Sequence, residues 1–178
     1  GKWYWETRYT GSNAVMSGFL DVNNYTASRV YSAGGDQYPG NLSGSNSFGY
    51  RSNGTLFHNG NTTSGKTSWE SAGDIMGLAV DMDNKAVYAH VNGTYVDSGD
   101  PTSGASKTGS LFNFTPTNYI SPAVSVSAAG NNGAQMNWGN PSFTISSGNA
   151  DANGYGNFEY AVPSGYYAVC TKNLAQYG

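Results

Sequence analysis

The sequence predicts an all-β protein. No stretch keeps apolar residues at i, i+3 and i+4 between helix-capping residues. Instead, short segments rich in Val, Ile, Tyr, Phe and Trp recur between clusters of Gly, Asn, Ser and Asp. The 178 residues are enough for one full hydrophobic core. These observations favour a two-sheet antiparallel β-sandwich.

The first two strands are predicted at Lys2–Thr10 and Val15–Val22. Side chains alternate between the two faces of a strand, so Trp3 and Trp5 share one face of the first segment. Large aromatic side chains bury much apolar area, and we expect both, like Trp138, to lie in the core.

Tight polar turns predict three hairpins farther along the chain. Each turn is rich in Asn and Gly or in Asp and Asn, residues that accept the backbone angles of a reversal. The paired segments are Phe48–Arg51 with Thr55–His58, Ile75–Met82 with Ala86–Val91, and Tyr119–Ala128 with Ala134–Trp138. A further turn is predicted at residues 58–61, His-Asn-Gly-Asn.

Three long polar stretches resist strand assignment: Asn23–Ser47, Thr94–Pro116 and Ser142–Gly156. Loops of this length are uncommon in compact domains and are usually functional or disordered. After them, Phe158–Ala175 is expected either to add a strand or to begin a linker.

The composition excludes several classes of function. Only 11% of residues are charged, the net charge is −3, and Lys and Arg never form a run. The basic surface of a nucleic-acid binder is therefore missing, and no apolar run reaches the ~20 residues that span a bilayer. Cys170 is the single cysteine, which rules out an intrachain disulfide. Because Gly1 directly precedes a predicted strand, we interpret the chain as a segment of a longer polypeptide or a processed product.

The carboxylates give no catalytic or metal-binding pattern. Asp81 and Asp83 lack the downstream Gly and Glu of a calcium loop and are interpreted as a hairpin corner. A glycosidase needs two carboxylates flanking the scissile bond, but Glu6, Glu70 and Glu159 stand far apart in the sequence. We therefore expect no enzyme, and a carbohydrate-active enzyme is kept as a minor alternative.

The two histidines, His58 and His90, give no zinc signature, since no second His or Cys stands at ligand spacing from either. A Ser-His-Asp triad is not supported either, because the Gly-x-Ser-x-Gly elbow is missing. Structural roles are expected for both histidines, and no cofactor is expected.

Three blocks of sequence resemble the SPRY (B30.2-like) domain, and they occur in the family's order. They are Gly1–Glu6 (GKWYWE), the region from Phe48 to Gly93 with its LFHNG, GDIMG, DMDN and VNG segments, and Ile120–Ser125 followed by Met136–Gly139. The resemblance implies two packed antiparallel sheets of concanavalin-like or jelly-roll-like topology. It places a sandwich core at residues 1–140 and a C-terminal extension at 141–178, which packs on the sandwich or leads to a further domain.

A second resemblance concerns Val162–Leu174, which is similar to segments that follow SPRY-type domains in phage and other viral structural proteins. Together the two resemblances imply a non-enzymatic binding or assembly module of a capsid, fibre or tail, located on a virion or an extracellular surface. Its partners would be other structural chains or a host-surface receptor or glycan. The resemblances are also compatible with a homo-oligomer and imply no insertion into a membrane. The alternative is an adaptor that binds a short peptide.

The ligand surface implied by the resemblance is built from end loops, which here are Asn23–Ser47 and Ala128–Gly133. Tyrosines among Ser, Gly and Asn suit an adaptable binding surface, because Tyr supplies contact area with few rotors. Packing of the tyrosines onto the sandwich explains them equally well. The candidate binding residues are Tyr25, Tyr31, Asp36, Tyr38, Asn131 and Asn132.

Overall fold

The computed structural model describes residues 1–11, 14–22, 38–115, 119–127 and 133–178. In chain order the strands are β1 (Lys2–Tyr9), β2 (Val15–Asp21), β3 (Phe48–Arg51), β4 (Thr55–His58), β5 (Asn61–Thr63), β6 (Ile75–Asp81), β7 (Ala86–Val91), β8 (Thr94–Tyr95), β9 (Phe112–Asn113), β10 (Ile120–Val126), β11 (Ala134–Asn137) and β12 (Tyr167–Ala168). Short 3₁₀ turns cover Val96–Ser98 and Gly104–Ser106, and helix α1 covers Thr171–Tyr177.

The chain divides into two compact units, each built on one sheet. Unit 1 comprises Gly1–Thr10, Ser71–Asn113 and Ala134–Gly178, and unit 2 comprises Gly11–Glu70 and Phe114–Gly133. The strand order is β11-β1-β6-β7-β8 in unit 1 and β10-β2-β3-β4-β5 in unit 2. Pairing is antiparallel throughout, except that β12 runs parallel to β1. The predicted all-β class with two antiparallel sheets is confirmed.

The sheet of unit 1 is centred on β1 and β6, which pair in a register that places Trp5 opposite Leu78. All seven residues of β6 and five consecutive residues of β1 are buried. The predicted β6–β7 hairpin is confirmed, with Asp81 opposite Ala86 at its closed end. One oxygen of the Asp81 carboxylate accepts the backbone N–H groups of Asp83 and Asn84, each at 2.9 Å, and thereby closes the turn.

The sheet of unit 2 contains the second confirmed hairpin, in which β3 and β4 pair from Phe48–His58 to Arg51–Thr55. The predicted turn after β4 is also confirmed, because β5 pairs back on β4. Aromatic side chains fill the interior of this unit. Those that are fully buried are Phe19, Phe48, Tyr50 and Trp69.

The third predicted hairpin is wrong. The strands around residues 128–133 belong to different sheets: β10 pairs with β2, placing Ser125 opposite Met16, whereas β11 pairs with β1, placing Asn137 opposite Glu6. A glycine-rich connection marks a change of direction but does not decide which strand will be the neighbour. Consecutive strands pair or adjoin in only about two-thirds of cases.

The segment after residue 140 covers one face of the unit 1 sheet. Phe158, Tyr166 and Ala168 are buried together with residues of β1, β6 and β7 in one apolar cluster. The chain then forms α1, a helix that the sequence pattern did not predict. Its seven residues are too few to show the amphipathic period. Among the described helices, none has the length and apolar character needed to cross a membrane.

Candidate functional site

A groove of about 370 Å³ lies on the unit 2 sheet. Ligand pockets in proteins usually measure about 300–1,000 Å³, so this volume admits a few side chains of a partner or a small molecule. The described residues that line it are Ala14, Val15, Met16, Tyr38, Arg51, Phe57, Ser125 and Ser127.

The floor of the groove is a row of side chains that crosses three strands. Met16 on β2 lies opposite Arg51 on β3 and opposite Ser125 on β10. Residues directly opposite each other in a sheet point to the same face. From β3 through β2 to β10, the row therefore presents the cation of Arg51, the thioether of Met16 and the hydroxyl of Ser125. In the next row, Phe57 on β4 lies opposite Gly49.

Gly49 allows the segment Tyr38–Gly40 to lie directly on this sheet. A Cβ atom at position 49 would stand 2.3 Å from the carbonyl oxygen of Pro39 and 2.4 Å from Sδ of Met16. The Gly60 N–H group donates to the Gly40 carbonyl at 2.9 Å and fixes the end of the segment. Any larger residue at position 49 would therefore push this wall of the groove away from the strand.

Tyr38 is held at the groove by an aromatic contact. Its ring meets Phe57 edge to face, with centroids 5.0 Å apart and an interplanar angle of 82°. Both side chains are half-buried and keep part of their surface open to a ligand. The Tyr38 ring therefore packs onto the sheet and also lines the groove, so packing and ligand contact are compatible at this residue.

Of the predicted binding residues, Tyr38 lies in this groove. Tyr25, Tyr31, Asp36, Asn131 and Asn132 fall outside the described residues, so their placement stays a prediction. Sequence reasoning missed the three floor residues and Phe57. The signal available was weak: around the Asn-Gly turn, Arg51 pairs with Thr55 and Phe57 pairs with Gly49, so Arg51 and Phe57 lie in successive rows on one face of the two-stranded ribbon.

A second cluster, in unit 1, surrounds the buried carboxylate of Glu6. One oxygen accepts hydrogen bonds from the Tyr4 hydroxyl at 3.0 Å and the Tyr160 N–H at 2.8 Å. The other accepts from the Asn137 amide at 3.1 Å and the Glu159 N–H at 3.0 Å. Burial raises the pKa of the Glu6 carboxyl, and these four donors oppose the rise because they favour the ionised form.

The Tyr4 hydroxyl links Glu6 to His90. Nδ1 of His90 accepts the Gly93 N–H at 3.1 Å, so the neutral ring carries its proton on Nε2. That Nε2–H donates to the Tyr4 oxygen at 2.7 Å, while the Tyr4 O–H donates to Glu6. Burial lowers the pKa of His90 to about 4 and raises the pKa of Tyr4.

The arrangement resembles a catalytic relay but is closed to a substrate. Tyr4 and Glu6 have no exposed surface and His90 is 1% exposed. A general acid or base must come within hydrogen-bond reach of the proton that it moves. We therefore assign the cluster a structural role: it joins β1 and β7 to the C-terminal segment through Glu159 and Tyr160.

Two other carboxylates considered in the sequence analysis, Asp81 and Glu159, also have structural partners. Asp81 forms an ion pair with Lys2 at 2.9 Å, and the Glu159 carboxylate accepts the Ser146 N–H at 2.7 Å. Within the part of the chain that the structure describes, no three His, Cys, Asp or Glu side chains gather as a metal site would require.

Comparison with known proteins gives a solved structure of similar fold. The SPRY domain of human HERC1 is 16% identical over an alignment that covers 76% of this chain and 72% of that one, with a TM-score of 0.49. No family model matches the sequence, and no curated protein matches it. Neither membership of a family nor a function follows from a likeness of this size, and the fold class stands on the two sheets themselves.

Proposed function

We propose that the chain is a binding module that takes a segment of a partner protein in the unit 2 groove. The observation that carries this proposal is the groove itself. Tyr38, Phe57 and Met16 provide apolar contact area, while Arg51 and two serines provide polar groups. Aromatic residues, Met and Arg are the residue types enriched where proteins bind one another.

The dimensions of the groove favour a short segment over a broad, flat contact. A volume of about 370 Å³ holds two or three side chains but not a whole folded surface. This supports the alternative of a short peptide ligand. A place in a viral or phage particle, a virion or extracellular location and a host glycan as partner stay predictions that rest on the sequence resemblance.

Selection of random seven-residue peptides displayed on phage, panned against the whole chain, tests the proposal. We expect enriched peptides whose affinity falls at least tenfold when Tyr38→Ala or Phe57→Ala is introduced. Tyr119→Ala is the matched control, because Tyr119 is 77% exposed in the same unit and lies outside the groove lining.

Melting temperatures of the three variants show whether a loss of binding reflects unfolding. Tyr38→Ala is expected to stay within a few degrees of the parent chain, since the tyrosine is only half-buried. Peptides that bind equally well to Tyr38→Ala and Phe57→Ala would place the site elsewhere and overturn the proposal.

A further inference from the structure

Among the described residues that line the groove, Arg51 is the one that carries a charge. It is half-buried at the end of β3. In the described part of the chain the ion pairs join Gly1 to Asp83 and Lys2 to Asp81, and none involves Arg51. A guanidinium that is partly removed from water, with no carboxylate of the described residues paired to it, is well placed to gain an anionic partner on binding.

The surroundings of Arg51 restrict the shape of that partner. Apolar contact area lies beside the cation, on Met16 in the same row and on Phe57 and Tyr38 along the wall. The hydroxyl of Ser125 stands at the far end of the row, two strands away. Neighbouring strands are about 4.8 Å apart, so the row is about 10 Å long and limits the contact to a few residues of a partner segment.

We propose that the groove selects a short segment of a partner protein in which one Asp or Glu directly adjoins an apolar residue, in a turned backbone that directs both side chains toward the groove. The carboxylate pairs with Arg51, the apolar side chain covers Met16 between Tyr38 and Phe57, and a polar group of the segment meets Ser125. The proposal rests on the proposed function and adds the charge and the order of the ligand's residues. The preference for an acidic partner follows from charge complementarity at one residue, because the other lining residues that the structure describes are neutral.

Fluorescently labelled, end-blocked peptides test the inference directly. The probes have the sequence Gly-X-Z-Ser-Gly, where X is Glu, Gln or Lys and Z is Leu or Gly, and affinity is measured by fluorescence anisotropy. For the parent chain we expect the Glu-Leu peptide to bind at least tenfold more tightly than its Gln-Leu counterpart. The same peptide with Gly at position Z should lose most of its affinity.

Charge variants of the protein identify the partner of the carboxylate. Arg51→Gln should bind the Glu and Gln peptides equally, and Arg51→Glu should prefer the Lys peptide. Lys66→Gln is the matched control, since it removes one positive charge from the same unit at a residue outside the groove lining, and it should keep the full Glu preference.

The outcomes separate this inference from the proposed function. Equal binding of Glu and Gln peptides by the parent chain, or a Glu preference that survives Arg51→Gln, would overturn the inference. Peptides from the phage selection that depend on Phe57 would still support the proposed function in that case. Competition by free acetate as effective as that by the Glu-Leu peptide would show a small carboxylate ligand and would also overturn the inference.

Discussion

Nε2 of His90 lies 2.7 Å from the Tyr4 hydroxyl, although the two residues are 86 positions apart in the chain. Their rings stack with centroids 5.9 Å apart. The contact joins β1 to β7 across β6, and Gly77 on β6 leaves the room for it, because a Cβ atom there would stand 2.0 Å from Nε2 of His90. The same hydroxyl continues to Glu6, so one chain of hydrogen bonds crosses the centre of unit 1.

The first prediction is that acid destabilises the protein through His90. Burial lowers its pKa from 6.5 to about 4, so between these values the unfolded chain binds more protons than the folded one. The contribution of neutral His90 to the free energy of unfolding should therefore be complete above pH 6.5. It should decrease by about 3 kcal/mol as the pH falls toward 4. Urea unfolding from pH 4 to 8 measures this loss.

Glu6 opposes part of this loss. Because folding raises the pKa of the Glu6 carboxyl, this group adds to the free energy of unfolding at pH values below its usual pKa of 4.5. The addition disappears as the pH rises through the folded pKa. A proton NMR titration isolates the histidine, and its ring signal should move with a midpoint near 4. A midpoint near 6.5 would contradict the assigned burial. His58→Gln serves as the control that leaves the His90 signal unchanged.

The second prediction concerns Gly77→Ala, which should destabilise unit 1 severely, by about 3 kcal/mol or more. The new Cβ atom would meet both the His90 ring and the Tyr4 hydroxyl, the latter at 2.6 Å. Gly44→Ala is the comparison: its φ of +74° is unfavourable for Ala, but nothing lies within 4 Å, so it bears only the backbone cost of about 1 kcal/mol. Equal losses in the two variants, measured by urea unfolding, would refute the steric account.

Truncating the histidine provides a second check on Gly77. In the double variant Gly77→Ala, His90→Ala the clash with the ring is gone, so the two costs should sum to more than the double variant shows. Strict additivity in a double-mutant cycle would mean that the methyl group and the ring do not meet.

The third prediction separates two buried carboxylates of unit 1, Glu6 and Asp151, by amide hydrogen exchange. Glu6→Gln replaces one acceptor oxygen by an NH₂ group that faces donors, and exchange at the Glu159 and Tyr160 amides should accelerate at least tenfold. Asp151→Asn should instead accelerate exchange at Ala168, whose N–H donates to Asp151 at 2.9 Å. Each variant is the other's control, and uniform acceleration across unit 1 in both would indicate global rather than local loosening.

The fourth prediction distinguishes the tryptophans. The sequence suggested equal burial for Trp5 and Trp138, but Trp5 is 1% exposed whereas Trp138 is half-buried beside it, with ring centroids 5.7 Å apart. Trp5→Ala and Trp69→Ala, both at fully buried rings, should each cost about 3–5 kcal/mol. Trp138→Ala should cost about half as much. A larger loss for Trp138 than for Trp5 in urea unfolding would contradict this order.

Local sequence signals predicted the parts of the fold that local geometry decides. The turn at Ser52–Gly54 and the one after Asp81 each define a hairpin, because a short polar reversal leaves the chain no other neighbour to pair with. The strands on either side of residues 128–133 could not be paired in this way. The pairs that they form with β2 and β1, such as Ser125 with Met16 and Asn137 with Glu6, join residues far apart in the sequence, and no local signal specifies a contact of that range.

The candidate site was predicted in part for the same reason. Tyr38 was identified from residue chemistry, since Tyr among small polar residues suits a binding surface. Arg51 and Met16 lie side by side because of the register in which β2 pairs with β3, and no local sequence signal specifies that register. In the sequence, Glu6 was considered only as a carboxylate far from Glu70 and Glu159, yet an acidic residue within a run of aromatic side chains indicates a buried carboxylate that needs hydrogen-bond donors.

The apolar cluster of Tyr4, Ala79, Tyr88, Phe158 and Tyr166 has a practical consequence for expressing this protein. A shortened gene product that stopped near residue 140 would keep every strand from β1 to β11, yet would leave Tyr4, Ala79 and Tyr88 open to water and Glu6 without two of its four donors. Such a product should aggregate. Recombinant boundaries for this protein therefore belong after α1, and a library of deletions scored for solubility should show a sharp drop once Tyr166 is lost.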